Sequence, residues 1–299
     1  MVPGALDPAD DGYGTSTWRW HVCCYFGDGE SSSNAQKDTN MKCRSQLAAL
    51  AVLALPVVPA VAAAADSPHS FTGKVALYSE YEYRGQSQTS EKPALQLNLD
   101  YVHASGFYVG TFLTNIKWLE DTGKVLGTDI DGKIEWDIYG GYKWGFAKDW
   151  TLDVGYLRYE YPGSNGVAGA FLKPNTDEVY VGVSYGPATL KYSYGVSEIF
   201  GVIGSEGSDY LELAVNQPIT AKVTLNALVG HQRYRGTQNG FDNGNFDYTV
   251  WKIGATYDFG GGFTAGGYYK DTNADPLYFT FLGKEWTKGR LVGFVAYSF

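Results

Sequence analysis

The chain has 299 residues and a formal net charge of −9, and Gly (38) and Tyr (24) abound while Cys (3) and Met (2) are scarce. Every Cys and Met precedes Asp66, so the body that follows holds no disulfide framework, no Cys-based metal site and no thiol nucleophile. That body carries 19 Lys+Arg against 26 Asp+Glu with no basic run, which leaves no electrostatic footprint for nucleic acid.

Residues 1–40 show neither helical nor strand periodicity, and Trp18, Trp20, Cys23 and Cys24 set them apart from the later composition. Met41 then opens a tripartite segment. Lys42 and Arg44 form a positive start, Leu47 to Val58 an apolar stretch, and Ala60 to Ala65 a set of A-x-A cleavage sites. This predicts a secretory signal peptide cut between Ala62 and Asp66. Two prolines and an Ala-rich end argue against a transmembrane helix. Cys43 lies before the apolar stretch rather than at its end, so lipoprotein processing is not expected. Translation is expected to start at Met41, with 1–40 a misassigned or disordered extension, 41–65 the signal peptide and 66–299 the mature domain.

After Asp66 the period is 2 rather than 3.6, and no helix is expected. Ile134, Trp136, Ile138, Tyr142 and Trp144 alternate with Lys133, Glu135, Asp137 and Lys143, and Trp251, Ile253, Ala255, Tyr257 and Phe259 alternate with Lys252, Thr256 and Asp258. The predicted strands are 71–84, 93–104, 106–118, 132–145, 149–161, 175–186, 187–199, 207–217, 220–234, 245–259, 261–272 and 287–299. They are longer than the soluble mode of about 5–6 residues and suit a tilted bilayer crossing. Their connections alternate long and short, as in bacterial outer-membrane barrels with short periplasmic turns and longer extracellular loops. Leu291, Val295, Tyr297 and Phe299 share one face of the last strand, and the terminal Phe suits an outer-membrane assembly signal. The fold class expected is therefore all-β: an antiparallel transmembrane β-barrel of about twelve strands, of bacterial outer-membrane type. A secreted β-sandwich or soluble barrel would alternate equally well with its apolar face inside, and alternation alone does not tell which face meets lipid.

The body resembles the TorF-type family of suspected porins, also called Gcw_chp, a proteobacterial family of unknown function. The resemblance is carried by Ser79-Glu80-Tyr81-Glu82-Tyr83-Arg84-Gly85 with Gln88 and Pro93-Ala94, and by Gly106-Phe107-Tyr108-Val109-Gly110. Glu135, Asp137, Tyr139 and Gly141-Tyr142 continue it, followed by Tyr159, Tyr161-Pro162-Gly163 and Asp177-Glu178-Val179-Tyr180. It implies an outer-membrane barrel suspected of being a channel, and it supplies no catalytic or ligand residues.

A barrel enzyme would need a nucleophile, a base and an orienting group within reach. The body offers His69, His103 and His231, with Ser205 and Ser208 in a loop near the last, and no supporting spacing. Glu120, Asp121, Asp129 and Asp131 share a loop that lacks the bidentate Glu of an EF-hand and reads as a solvated acidic segment. Asp242, Asn243, Gly244, Asn245 and Asp247 read as turn formers. No catalytic, cofactor or metal residue is assigned.

The polar rows carry the functional content. Alternation assigns Glu80, Glu82, Asp100, Glu135, Asp137, Asp153, Glu178, Glu212 and Asp258 to the lumen as acids, and Lys74, Arg84, Lys117, Lys133, Lys143, Lys191, Lys252 and Lys270 as bases. Such charges either line a wet channel or pair and fill a narrow interior. The last loop, with Leu277, Tyr278, Phe279 and Phe281, either folds inward as a constriction or stands out as a hairpin. The expected function is a porin-like channel for small hydrophilic solutes. A non-conducting barrel acting through its loops is the alternative. Expected partners are outer-membrane lipid and lipopolysaccharide, the assembly machinery through the C-terminal strand and periplasmic chaperones during export, with no nucleic acid.

Overall fold

The computed structural model describes residues 67–299; the predicted signal peptide and N-terminal extension lie outside them. Twelve long strands make the wall: β1 (His69–Tyr78), β2 (Ala94–His103), β3 (Phe107–Asn115), β4 (Ile134–Ala147), β5 (Trp150–Glu160), β6 (Thr176–Tyr185), β7 (Ala188–Gly195), β8 (Asp209–Pro218), β9 (Val223–Arg233), β10 (Tyr248–Gly260), β11 (Phe263–Thr272) and β12 (Arg290–Ser298). Each pairs antiparallel with its chain neighbours, and β12 returns to β1 in the register Lys74↔Ser298 through Tyr78↔Phe294, so the sheet is a closed barrel. Closure removes the sheet edges, a condition for crossing a bilayer with strands.

The alternation decides which face is which. On β4, Ile134, Trp136 and Ile138 are 47%, 41% and 39% exposed while Glu135 and Asp137 are 2% and 7% exposed. The barrel therefore wears its apolar row outside and its polar row inside, the reverse of a soluble sandwich. An exposed apolar belt contributed by Leu95, Leu99, Val179, Val181, Leu213, Leu225, Ile253 and Val295 among others is a surface for lipid. Connections 104–106, 148–149, 186–187, 219–222 and 261–262 are short, and 79–93, 116–133, 161–175, 196–208, 234–247 and 273–289 are long, in strict alternation. Phe299 completes the seam: its backbone N–H donates to Gly73 O at 2.9 Å, its carbonyl accepts from Gly73 N–H at 2.8 Å, and its ring covers the space a Gly73 side chain would fill.

Three expectations are corrected. The first strand ends at Tyr78 rather than at residue 84, because the chain turns into the lumen there. The third ends at Asn115, so Lys117 is not on the wall; it precedes a helix, α1 (Trp118–Val125), and pairs with Asp121. That helix contradicts the expectation of none. It is too short to show an apolar repeat, and it is held by burial of Trp118 and Leu119 and by i,i+4 contacts from Lys117 and Lys124. The hydrogen bond from Lys124 keeps the partly exposed Glu120 carboxyl below its ordinary value. The last long connection forms a single turn, α2 (Pro276–Phe279), capped by Asp275 on the Leu277 N–H at 2.9 Å. Its Phe279 packs on Tyr248 and Phe246, and Leu277 points to solvent.

Glycines let aromatic rings lie flat on the inner wall. Tyr139 covers Gly110, Tyr180 covers Gly155 and Tyr210 covers Gly230, each pair on facing strands. The substitution Gly230→Val is expected to drive Tyr210 off its seat and to cost about 1–3 kcal/mol of overpacking. Urea unfolding of the refolded barrel would show it as a lower midpoint; an unchanged midpoint would mean the ring relocates freely.

Candidate functional site

The site grows from the first long connection, 79–93. Glu82–Tyr83 and Gln86–Ser87 pair as a two-residue-turn hairpin with Arg84 at φ 46° and Gly85 at φ 87°. Two consecutive positive φ values define a type I′ turn, whose second position favours Gly. Here a side chain at Gly85 would also meet Thr272 Cγ2 at 2.6 Å. The Glu82 carboxylate accepts from the Gly85 N–H, and Thr89 Oγ1 accepts from the Tyr81 N–H at 3.0 Å, so the hairpin is internally braced.

This hairpin is buried inside the barrel, where it bonds to side chains from seven of the twelve strands. Arg84 makes a fork-on-fork pair with Glu178 of β6, at 2.9 and 2.8 Å, and donates to Gln232 of β9 at 3.0 Å. Its guanidinium also lies over the Tyr210 ring of β8, 4.3 Å from the centroid. Glu82 accepts from Lys252 of β10 at 2.9 Å, and Glu80 accepts from Arg290 of β12 at 2.8 Å. Lys270 of β11 donates to the Gly85 carbonyl at 2.7 Å. Tyr81 donates to Glu135 of β4 at 2.5 Å, the Tyr83 and Tyr159 hydroxyls meet at 2.5 Å, and Tyr161 donates to the other Glu135 oxygen at 2.9 Å. The first loop thus narrows the lumen, and the last packs inward on it, with Trp286 buried and its carbonyl accepting from the Ser87 N–H at 2.9 Å.

The wall charges at this level are segregated. Glu135 and Asp137 on β4 and Glu178 on β6 form an acidic side; Lys252 on β10, Lys270 on β11 and Arg290 on β12 form a basic side. In a closed ring of twelve, β4–β6 and β10–β12 are six strands apart, on opposite walls. The hairpin carries the complementary pattern, with Arg84 toward the acids and Glu80 and Glu82 toward the bases. The neutralisation is incomplete on the acidic side. Glu135 is held by two phenols rather than a cation, and Asp137, only 7% exposed, has an Oδ1 without a hydrogen-bond partner.

Beneath the hairpin lies a cavity of about 410 Å³, bounded above by Tyr81 and Glu82 and lined by Gln96, Asn216, Asn226, Lys252, Thr256 and Tyr268. Across it a tyrosine network organises other inner charges. Tyr139 donates to Asp100 at 2.6 Å, Tyr108 to Asp153 at 2.6 Å, and Lys143 and Lys191 lie over the Tyr108 and Tyr180 rings.

Of the other charges expected in the lumen, Lys74 and Glu212 are half-buried on the inward rows of β1 and β8, Asp258 is exposed near the end of β10, and Lys133 is exposed just before β4 begins and so is not on the wall. Glu80, Glu82 and Arg84 reach the lumen on the hairpin rather than on the wall. Arg290 was missed, although the period that sets Leu291 and Val295 outward sets Arg290 inward. Leu291, Val295 and Tyr297 lie on the outward row of β12, and Phe299 follows the strand with its ring beside Gly73. The histidines stay apart from a triad: His231 contacts Thr249 at 3.0 Å on the outer face, His69 contacts Tyr101, and His103 contacts Ser105 in a short turn. Ser205 instead bonds Glu198 and the Val202 carbonyl. Among the described residues, no three His, Cys, Asp or Glu side chains are placed to hold a metal ion. Asp242 caps a 3-10 turn, Asn243–Phe246, on the Gly244 N–H at 2.8 Å.

A closed twelve-stranded barrel with an apolar outer belt and a charged interior defines an outer-membrane β-barrel of porin-like fold. The sequence profile of a family described as "bacterial protein of unknown function (Gcw_chp)" matches residues 62–299, and the chain belongs to that family. No match was found among curated proteins. Among solved structures, the KdgM porin is similar with TM-score 0.47 at 9% identity, over 76% of this chain and 99% of that one. The NanC porin gives 0.46 at 12% identity over 77% and 99%, and the TodX deltaS2S3 mutant monoaromatic hydrocarbon channel gives 0.43 at 12% over 78% and 91%.

Proposed function

We propose that this protein is an outer-membrane channel for the passive diffusion of small hydrophilic solutes, narrowed by its first loop. The observation that carries the reading is the facing of three wall carboxylates by three wall cations across one lumen, a transverse arrangement that orients water and polar solutes. No covalent chemistry is required of the site. Export through the 41–65 signal and assembly through the Phe299 row belong to the same proposal.

Docking of the hairpin favours a second reading, a barrel that is closed at rest and acts through its loops. Planar-bilayer recording of the purified protein separates the two, with heat-modifiable gel mobility as the check on folding. Discrete current steps are expected. A folded barrel that gives none, in symmetric salt and at both polarities, overturns the channel reading in favour of the closed barrel.

A further inference from the structure

The hairpin works as a built-in ligand for the constriction, and its chemistry describes the ligand the wall is made for. It presents one cation and two carboxylates on a short stretch of backbone. The cation goes to Glu178, and the carboxylates go to Lys252 and Arg290 on the opposite wall. Backbone is recognised too, since Lys270 holds the Gly85 carbonyl at 2.7 Å. We propose that the constriction selects dipolar, peptide-like solutes, molecules with an ammonium or guanidinium group at one end and a carboxylate at the other, which occupy the charge positions of the hairpin.

Three features support this class over its rivals. A solute of one sign meets attraction on one wall and repulsion on the other, whereas a dipolar solute aligned across the lumen is attracted by both. The wall leaves cationic capacity unused: Asp137 is buried with an oxygen unpartnered, and Glu135 has only phenol donors. An incoming ammonium would find there two carboxyl groups that Arg84 does not pair. An aromatic ring of the wall flanks the cationic position, with the Arg84 guanidinium 4.3 Å from the Tyr210 centroid, an environment that also favours ammonium groups.

This inference rests on the channel reading, and its test is arranged to separate the two. Liposomes carrying the purified full-length protein are swollen in iso-osmotic triglycine, mannitol, citrate or spermidine, four probes of comparable size that are dipolar, neutral, anionic and cationic. Triglycine is expected to enter about tenfold faster than mannitol, the low end of the gain that a charged cleft gives to a matched solute. Citrate and spermidine are expected to enter more slowly than triglycine. In K252Q and, separately, in E178Q, the triglycine-to-mannitol ratio should fall toward one. A ratio is read within one preparation, so a lower yield of folded protein does not mimic the effect. Equal entry of triglycine and mannitol, or faster entry of either single-signed solute, overturns the inference while the channel stands. No entry of any probe into liposomes that hold folded barrel overturns both.

Discussion

Arg84→Gln is expected to shift the first loop out of the lumen and, in planar-bilayer recording, to give larger and longer current steps than the wild-type protein. Arg84 and Glu178 are nearly fully enclosed, with side chains 8% and 3% exposed. Removing one partner of a buried pair costs about 3–5 kcal/mol, because the remaining charge is left without compensation. Only the docked state bears that cost here. With the loop withdrawn, Glu178 faces a wet lumen in both proteins. At 1.4 kcal/mol for each factor of ten, the docked-to-withdrawn ratio should fall by about two to three and a half powers of ten. Single-channel recording reads this as a rise in open probability. The exchanged double substitution Arg84→Glu with Glu178→Arg should recover part of the closed population, which loss of the backbone turn alone could not do. Wild-type behaviour in Arg84→Gln would show that the loop is a fixed constriction rather than a movable one.

The barrel was legible in the sequence for a physical reason: a wall one residue thick must alternate if lipid lies on one side and water on the other. Strand count, loop alternation and most inward charges follow from that rule alone. Its failure at Glu80, Glu82 and Arg84 has the same origin. A hairpin has the same period of two as a wall strand, so alternation runs on through residue 84 while the chain has already left the wall at Tyr78. The signal that could have marked the departure is the Arg84-Gly85 step, a turn pair in the middle of a predicted strand. The charge partners were beyond reach for another reason. Arg84 and Glu178, Glu82 and Lys252, and Glu80 and Arg290 are far apart in sequence and meet only because the ring closes. Opposite walls become visible once the strand order is a circle, and the two sides of three like charges then stand out from a nearly balanced list. Helix α1 escaped because two turns buried under loops need no long apolar stripe.

Which face meets lipid is open to a direct measurement on β8 and β9. Leu213 and Ala214 are neighbours at mid-strand with opposite outlooks: Leu213 is 43% exposed on the outer belt, and Ala214 lines the cavity beneath the hairpin. Leu213→Arg is expected to lower the stability of the barrel in phospholipid vesicles by about 2–4 kcal/mol, the cost of a guanidinium at bilayer mid-depth. Ala214→Arg should cost much less, since its side chain can extend into a polar space with Asn216 and Asn226 nearby. A soluble sandwich would show the same ordering for these two, so a third variant discriminates. Val223 shares the outward row but begins β9, next to the short 219–222 turn and opposite Tyr257. There Arg should cost only about 0–1 kcal/mol, because charge on a lipid face is tolerated near the interface. A protein core imposes no such depth profile along a strand, whereas a bilayer does. Urea titration of the three variants in vesicles would show the gradient, and an equal penalty at Leu213 and Val223 would mean that the apolar belt does not lie in lipid.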